Sequence, residues 1–302
     1  MEQLIAILTK PDNVPIVLML FLMPFFTWLS YSQAFANDRK MEQGMSPAEA
    51  VLGPEIDLPQ KVHTWPFLLK IEFLAAIGCL IFLMVWSMAL NAPLEEPANS
   101  AITPNPSKAP WYFLGLQEIL VYFDPWIAGV ALPGVILGGL AAIPYLDVNP
   151  KGSGYYCHKD RWFAISCFNF GFLVLWCPMI VIGTLMRGPG WMMFMLGEKW
   201  DPHKVVAEVN IDLPNLLFGV TSESHAGMLI GASFIGLWFV AWMVIPYVWM
   251  RIKDSRILKD LGIARYMVTN LLFSSMMFVV LKIFLRLAFS VKYILVTEYF
   301  KV

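Results

Sequence analysis

The chain has 302 residues, of which 58% are hydrophobic, 15% aromatic and only 14% charged, with a formal net charge of −1. Soluble domains carry about 25% charged residues, so this chain lacks the polar groups to cover a water-facing surface and reads as a polytopic membrane protein. The charge balance gives no basic surface, no basic cluster is interleaved with aromatics, and no nucleic-acid partner is expected.

A bilayer core of about 30 Å needs roughly 20 apolar residues in a helix. In lipid the backbone must satisfy its own hydrogen bonds, so long apolar runs are helices rather than strands. Six such runs occur, at residues 14–37, 73–94, 125–146, 162–186, 226–250 and 266–290. The sixth contains Lys282 and Arg286 and is the least apolar of the set. The expected fold class is therefore all-α, a bundle of about six transmembrane helices. Pro24, Pro133, Pro178 and Pro246 fall inside spans, where they are expected to kink the helix. The opening stretch MEQLIAILTKPDN lacks a basic leader and runs into a full-length span, so no cleavable signal peptide is expected.

Orientation follows from Lys and Arg in the connecting loops. One set of loops holds Arg39, Lys40, Lys61, Lys151, Lys159, Arg161, Arg251, Lys253, Arg256, Lys259 and Arg265, eleven in all. The opposite set holds seven: Lys10, Lys108, Arg187, Lys199, Lys204, Lys292 and Lys301. The first set is expected on the cytoplasmic side and both termini outside. The stretch NPSKAPWYFLGLQEIL, residues 105–120, then faces outward, as does the long segment 187–225.

Cys79, Cys157, Cys167 and Cys177 form neither a CxxC pair nor a CxxCH haem-attachment motif. Three of them lie in or beside apolar runs, where cysteine packs as a small hydrophobe. His63, His158, His203 and His225 all fall in loops or at span edges. A membrane haem held by two imidazoles needs histidines inside facing spans, so this chain is not expected to ligate haem, and no metal ligand is assigned. No carboxylate sits at mid-membrane depth, which weighs against an ion-coupled transporter.

Two constellations carry chemistry. On the outer side, Pro104 and Pro106 hold the chain extended, and Pro110 suits the first turn of a short interfacial helix. Trp111 and Glu118 are seven residues apart, about two turns, and so share a face. Phe113, Leu114, Leu116, Ile119 and Leu120 supply an apolar wall. A carboxylate in that wall is a candidate proton acceptor; the competing interpretation is an amphipathic interfacial helix with Glu118 solvated. On the inner side, HTWPFLLKIEF places His63, Lys70 and Glu72 at the start of the second span. His63 and Lys70 align if the helix begins early, as in a proton relay to a quinone head group. The competing interpretation is that Lys70 and Glu72 are snorkelling interface anchors.

The run EEPANSAITPNPSKAPWYFLGLQEIL followed by a span ending IPYLD resembles the C-terminal half of cytochrome b, the part that some complexes carry as a separate subunit IV. Pro97-Ala98-Asn99, Thr103-Pro104, Trp111-Tyr112-Phe113 and Pro144-Tyr145-Leu146-Asp147 carry the resemblance, which extends from about His63 to Arg187. The RGPGW motif, Arg187 to Trp191, is similar to that of bacterial members with extra helices. The resemblance divides the chain into an added N-terminal span and cytoplasmic loop (1–62), a subunit IV-like domain of three spans (63–187), and an outer loop with two added spans (188–302).

It also implies an electron-transport function in the respiratory chain. The chain would be one subunit of a quinol:cytochrome c oxidoreductase in the bacterial cytoplasmic membrane, not catalytic alone, that contributes to an outer quinol-oxidation site. Pro110, Trp111, Tyr112, Phe113 and Leu114 would bind the quinol (menaquinol or ubiquinol), with Glu118 and Tyr112 catalytic. The implied partners are a haem b-bearing cytochrome b subunit, a Rieske iron–sulfur protein, a c-type cytochrome and lipid, in a complex that is itself a homodimer. His63, Lys70 and Glu72 fall where a second quinone site would begin. One departure stands out: the family carries Pro-Glu-Trp-Tyr where this chain has Ala109-Pro110-Trp111-Tyr112. Either Glu118 replaces the missing acid, or the chain is a structural anchor that holds redox partners without an active quinol site.

Overall fold

The computed structural model describes residues 2–52, 63–91, 94, 97–148, 157–206 and 208–302. Among the described residues the regular structure is helical, with isolated bridges but no strand. In chain order the helices are α1 (Glu2–Thr9), α2 (Val14–Glu42), α3 (Pro47–Leu52), α4 (Thr64–Ala89), α5 (Trp111–Ile119), α6 (Ile127–Leu146), α7 (Trp162–Leu185), α8 (Leu213–Phe218), α9 (His225–Ile252) and α10 (Arg256–Phe289). The helices α2, α4, α6, α7, α9 and α10 are each long and apolar enough to cross a bilayer, and they overlap the six apolar runs, although α4 starts and ends earlier than the run at 73–94. Of the positions used for orientation, Lys61 and Lys151 lie outside the described residues, as do Glu95 and Glu96 of the linker.

Proline acts here less by sharp kinks than by widened turns. Proline lacks the N–H of the regular ladder, and its ring crowds the carbonyl four residues earlier. Pro133 and Pro178 lie two residues past the wide turns Ile127–Ala131 and Phe170–Trp176. Each loosens the ladder where the ring would clash.

The chain divides into two compact units. One comprises Thr9–Ser100 and Lys151–Asp160 and contains α2, α3 and α4. Its spans present apolar side chains outward along almost their whole length. The α2 end is finished by a polar clasp: buried Asp38 accepts the backbone N–H groups of His158 and Lys159, both at 3.1 Å. The His158 ring lies against Tyr31 and Phe35, and Lys159 pairs with Glu42. A reciprocal cap between Ser46 and Glu49 starts α3.

The other unit comprises Met1–Leu8, Ala101–Pro150 and Arg161–Val302, and it holds four spans. The sixth apolar run is longer than its sequence core. The basic stretch ahead of Tyr266 is itself helical and joins the span through Gly262, whose φ of +70° only glycine adopts at little cost. Along α10 the residues Tyr266, Asn270, Ser274, Phe278, Lys282 and Arg286 recur every fourth position and are all buried. They face α9. The Tyr266 hydroxyl donates to the Met243 carbonyl at 2.8 Å, the Asn270 amide to the Trp242 carbonyl at 2.6 Å, and the Trp238 indole to the Ser274 carbonyl at 3.2 Å. Polar groups thus bind two spans where apolar packing gains little over lipid.

At one end of this unit, α5, the segment from Arg187 to Ser224 and residues 291–302 meet. Their shared core includes Ile119, Tyr122, Phe123, Met179, Leu213, Phe278, Leu285, Val291 and Ile294.

Candidate functional site

The linker reaches its helix through polar contacts. Lys108 donates to the Thr184 carbonyl at 2.6 Å and lies over the Trp200 ring at 4.6 Å. Gln117 reaches back to the proline-rich stretch: its amide oxygen accepts from Ala109 N–H at 2.8 Å, and its amide nitrogen donates to the Ser107 carbonyl at 3.0 Å. Pro110 sits just ahead of the helix, and its carbonyl accepts from Phe113 N–H.

The helix then has two faces. Leu114, Gly115, Glu118 and Ile119 are buried, whereas Tyr112 and Phe113 are about half exposed (52% and 53%). Trp111 lies half-buried between them, its ring edge-on to Tyr112 at 5.7 Å. The buried face crosses α7 closely: a Cβ on Gly183 would stand 3.0 Å from Leu114 Cγ.

Glu118 is the centre of the buried face and is 0% exposed. The Arg187 guanidinium grips its carboxylate in a fork, with Nη2 to Oε1 at 2.6 Å and Nε to Oε2 at 3.0 Å. The remaining arm, Nη1, donates to the Trp191 carbonyl at 2.9 Å. Trp191 holds a positive φ of 59°, a costly backbone for a bulky residue. Burial, and next the Glu118 charge, push the Tyr122 phenol above its ordinary pKa, while the neighbouring guanidinium pulls it down. An ion pair so enclosed is geometrically specific, and either half left alone is expensive.

The structure gives Glu118 a setting that neither sequence-based picture of it foresaw. Glu118 is neither solvated nor bare in an apolar wall; it is closed over by an arginine 69 residues away. Tyr112 points off the other face, so the phenol beside the carboxylate is Tyr122. Arg187 and Tyr122 were missed as site residues. The signal for Tyr122 is its four-residue spacing from Glu118; Arg187 stands in the sequence as a loop charge and as the start of the RGPGW motif, with nothing in either pattern pointing to Glu118.

His63, Lys70 and Glu72, at the start of α4, are exposed. The alignment of His63 with Lys70 needs an uninterrupted helix, and Trp65 breaks it with φ −105° and ψ 131°. Lys70 and Glu72, two apart, leave the helix in different directions.

Six helices long and apolar enough to cross a bilayer define a multi-pass membrane protein, helical among the described residues. The profile of the cytochrome b(C-terminal)/b6/petD family matches residues 97–195. That segment begins in the proline-rich linker and ends just past RGPGW, so Glu118 and Arg187 both lie inside it. A curated relative from Geobacillus thermodenitrificans, a menaquinol:cytochrome c reductase cytochrome c subunit, is 33% identical over 123 residues, which cover 36% of this chain and 48% of that protein. The chain thus spans about half the length of the curated relative it matches. No solved structure matches it.

Proposed function

We propose that this chain is a membrane subunit of a quinol:cytochrome c oxidoreductase, that its α5 edge forms one wall of an outer-side quinol-oxidation site, and that menaquinol is the quinol. The observation that carries this is the two-sidedness of α5: Tyr112 and Phe113 stand free at its edge, while Glu118 and Arg187 lock the opposite face to α7. A haem-bearing cytochrome b subunit completes the pocket. Quinol oxidation to quinone releases two electrons and two protons. One electron passes to a Rieske iron–sulfur protein and on to a cytochrome c, the other to the partner's haem b, and the protons leave on the outer side. Pro110, Trp111 and Leu114 shape the wall. Tyr112 meets the quinol hydroxyl, and Glu118 takes a proton once Arg187 releases it to hold the Trp191 carbonyl alone. The complex sits as a dimer in a bacterial cytoplasmic membrane, with both termini of this chain outside. His63, Lys70 and Glu72 are retained as the start of an inner quinone site.

A second reading, a structural anchor without quinol chemistry, draws on the proline at position 110, where the family carries glutamate, and on the closed Glu118–Arg187 pair. Menadiol-driven reduction of cytochrome c by the purified complex separates the two. Tyr112→Phe lowers that activity, with haem content unchanged, if the α5 edge is a quinol wall; equal turnover favours the anchor.

A further inference from the structure

The two C-terminal spans and residues 291–302 do more than add lipid-facing surface. Lys282 of α10 is 0% exposed. Its ammonium donates to the Lys292 carbonyl and lies 5.7 Å from the Phe123 ring and 5.8 Å from the Tyr293 ring. Phe123 ends the turn that leaves α5, which is closed by Tyr122 N–H and Phe123 N–H on the Ile119 carbonyl. Residues 291–302 are themselves tied down. Lys292 N–H donates to the Ile211 carbonyl at 2.8 Å, and Leu213 N–H donates to the Tyr293 carbonyl at 2.8 Å. From the other side, α9 presses Gly231 against this segment: an added Cβ would collide with the Ile294 carbonyl oxygen and stand 2.9 Å from Leu295 Cα. Ile294 is 0% exposed and shares the core with Ile119 and Phe123. One buried cation therefore joins a span, the terminal strap and the end of the linker helix.

We propose that Lys282 is a positioning residue for the linker helix, acting through Phe123 and the strap to fix where the Trp111–Phe113 edge stands. This rests on the reading of that edge as a quinol wall. An ammonium between two ring faces and a carbonyl is held by directional contacts that a methionine of similar length does not replace. Small misplacement of a binding wall costs turnover steeply.

The test uses the whole purified complex carrying Lys282→Met or Gly231→Ala, two changes from different helices that converge on the strap. Amide hydrogen exchange over residues 111–123 and menadiol:cytochrome c turnover per haem are measured on each. Both variants are expected to exchange faster at residues 119–123 and to lose about tenfold in kcat/KM. If either variant fails to assemble, Phe123→Leu, which removes the ring and keeps an apolar side chain, is measured in the same way. Parental exchange at residues 119–123 in the assembled variants overturns the proposal. Faster exchange with parental turnover upholds the positioning role and counts instead against the quinol wall.

Discussion

The Glu118–Arg187 pair yields the sharpest prediction, because clamp and proton acceptor respond differently to the same two substitutions. Arg187→Met leaves a carboxylate with 0% exposure and no counter-charge. Removing one partner of a buried pair costs about 3–5 kcal/mol. Glu118→Gln likewise leaves the Arg187 guanidinium buried without a counter-charge, but the amide oxygen still accepts one guanidinium N–H, so the loss falls at the lower end of that range, about 3 kcal/mol. Replacing both residues removes the buried charges together and is expected to recover most of the stability lost by Arg187→Met. The order of assembled complex in membranes, measured as haem co-purifying with the chain, is therefore parent, then the double variant and Glu118→Gln, then Arg187→Met.

Turnover separates the roles. Loss of a positioned proton acceptor lowers the rate about 10²–10⁴-fold. With haem content normalised, single-turnover quinol oxidation by Glu118→Gln falls by that order, and the double variant is equally slow despite its recovered assembly. Parental rates per haem in Glu118→Gln would end the acceptor role. Parental assembly in Arg187→Met would refute the energetic reasoning, since a buried, unpaired carboxylate would then cost nothing.

Other expectations follow from single contacts. Asp38→Ala strips the acceptor from two backbone N–H groups and is expected to speed proteolysis near residues 157–161 in the whole chain, with a loss of about 1–3 kcal/mol. Asn270→Leu breaks one rung between α9 and α10 and should lower the detergent melting temperature modestly, by the equivalent of about 0.6–2 kcal/mol. Burial first, and then nearby carboxylates, raise the Tyr293 phenol, as burial and Glu118 raise Tyr122. The neutral phenols therefore contribute stability that is complete below about pH 10, the ordinary tyrosine pKa, and is lost as pH rises through the raised folded values. Tyr122→Phe with Tyr293→Phe should flatten the alkaline limb of a thermal-stability profile.

The spans were legible because hydrocarbon requires length with little charge: five of the six runs carry none, and the sixth is long enough to stand out despite Lys282 and Arg286. The linker helix was legible from Pro110 and from the apolar rhythm after it. Its buried face was half legible: the seven-residue step from Trp111 to Glu118 lies on the correct side, yet what opposes Glu118 comes from the far end of α7, and no local pattern predicts a contact across 69 residues. Lys282 and Arg286 misled in an informative way. As charges they weakened the sixth apolar run, whereas their four-residue spacing from Tyr266, Asn270, Ser274 and Phe278 marks the buried stripe of α10. A charge inside a span reads as a fault only while its partner is unknown. Once the strap carbonyl and the Phe123 ring are in place, the same lysine is a contact between the last helix, the strap and the end of the linker helix. Composition therefore finds the membrane, while the site depends on pairings between segments that meet only when the bundle closes.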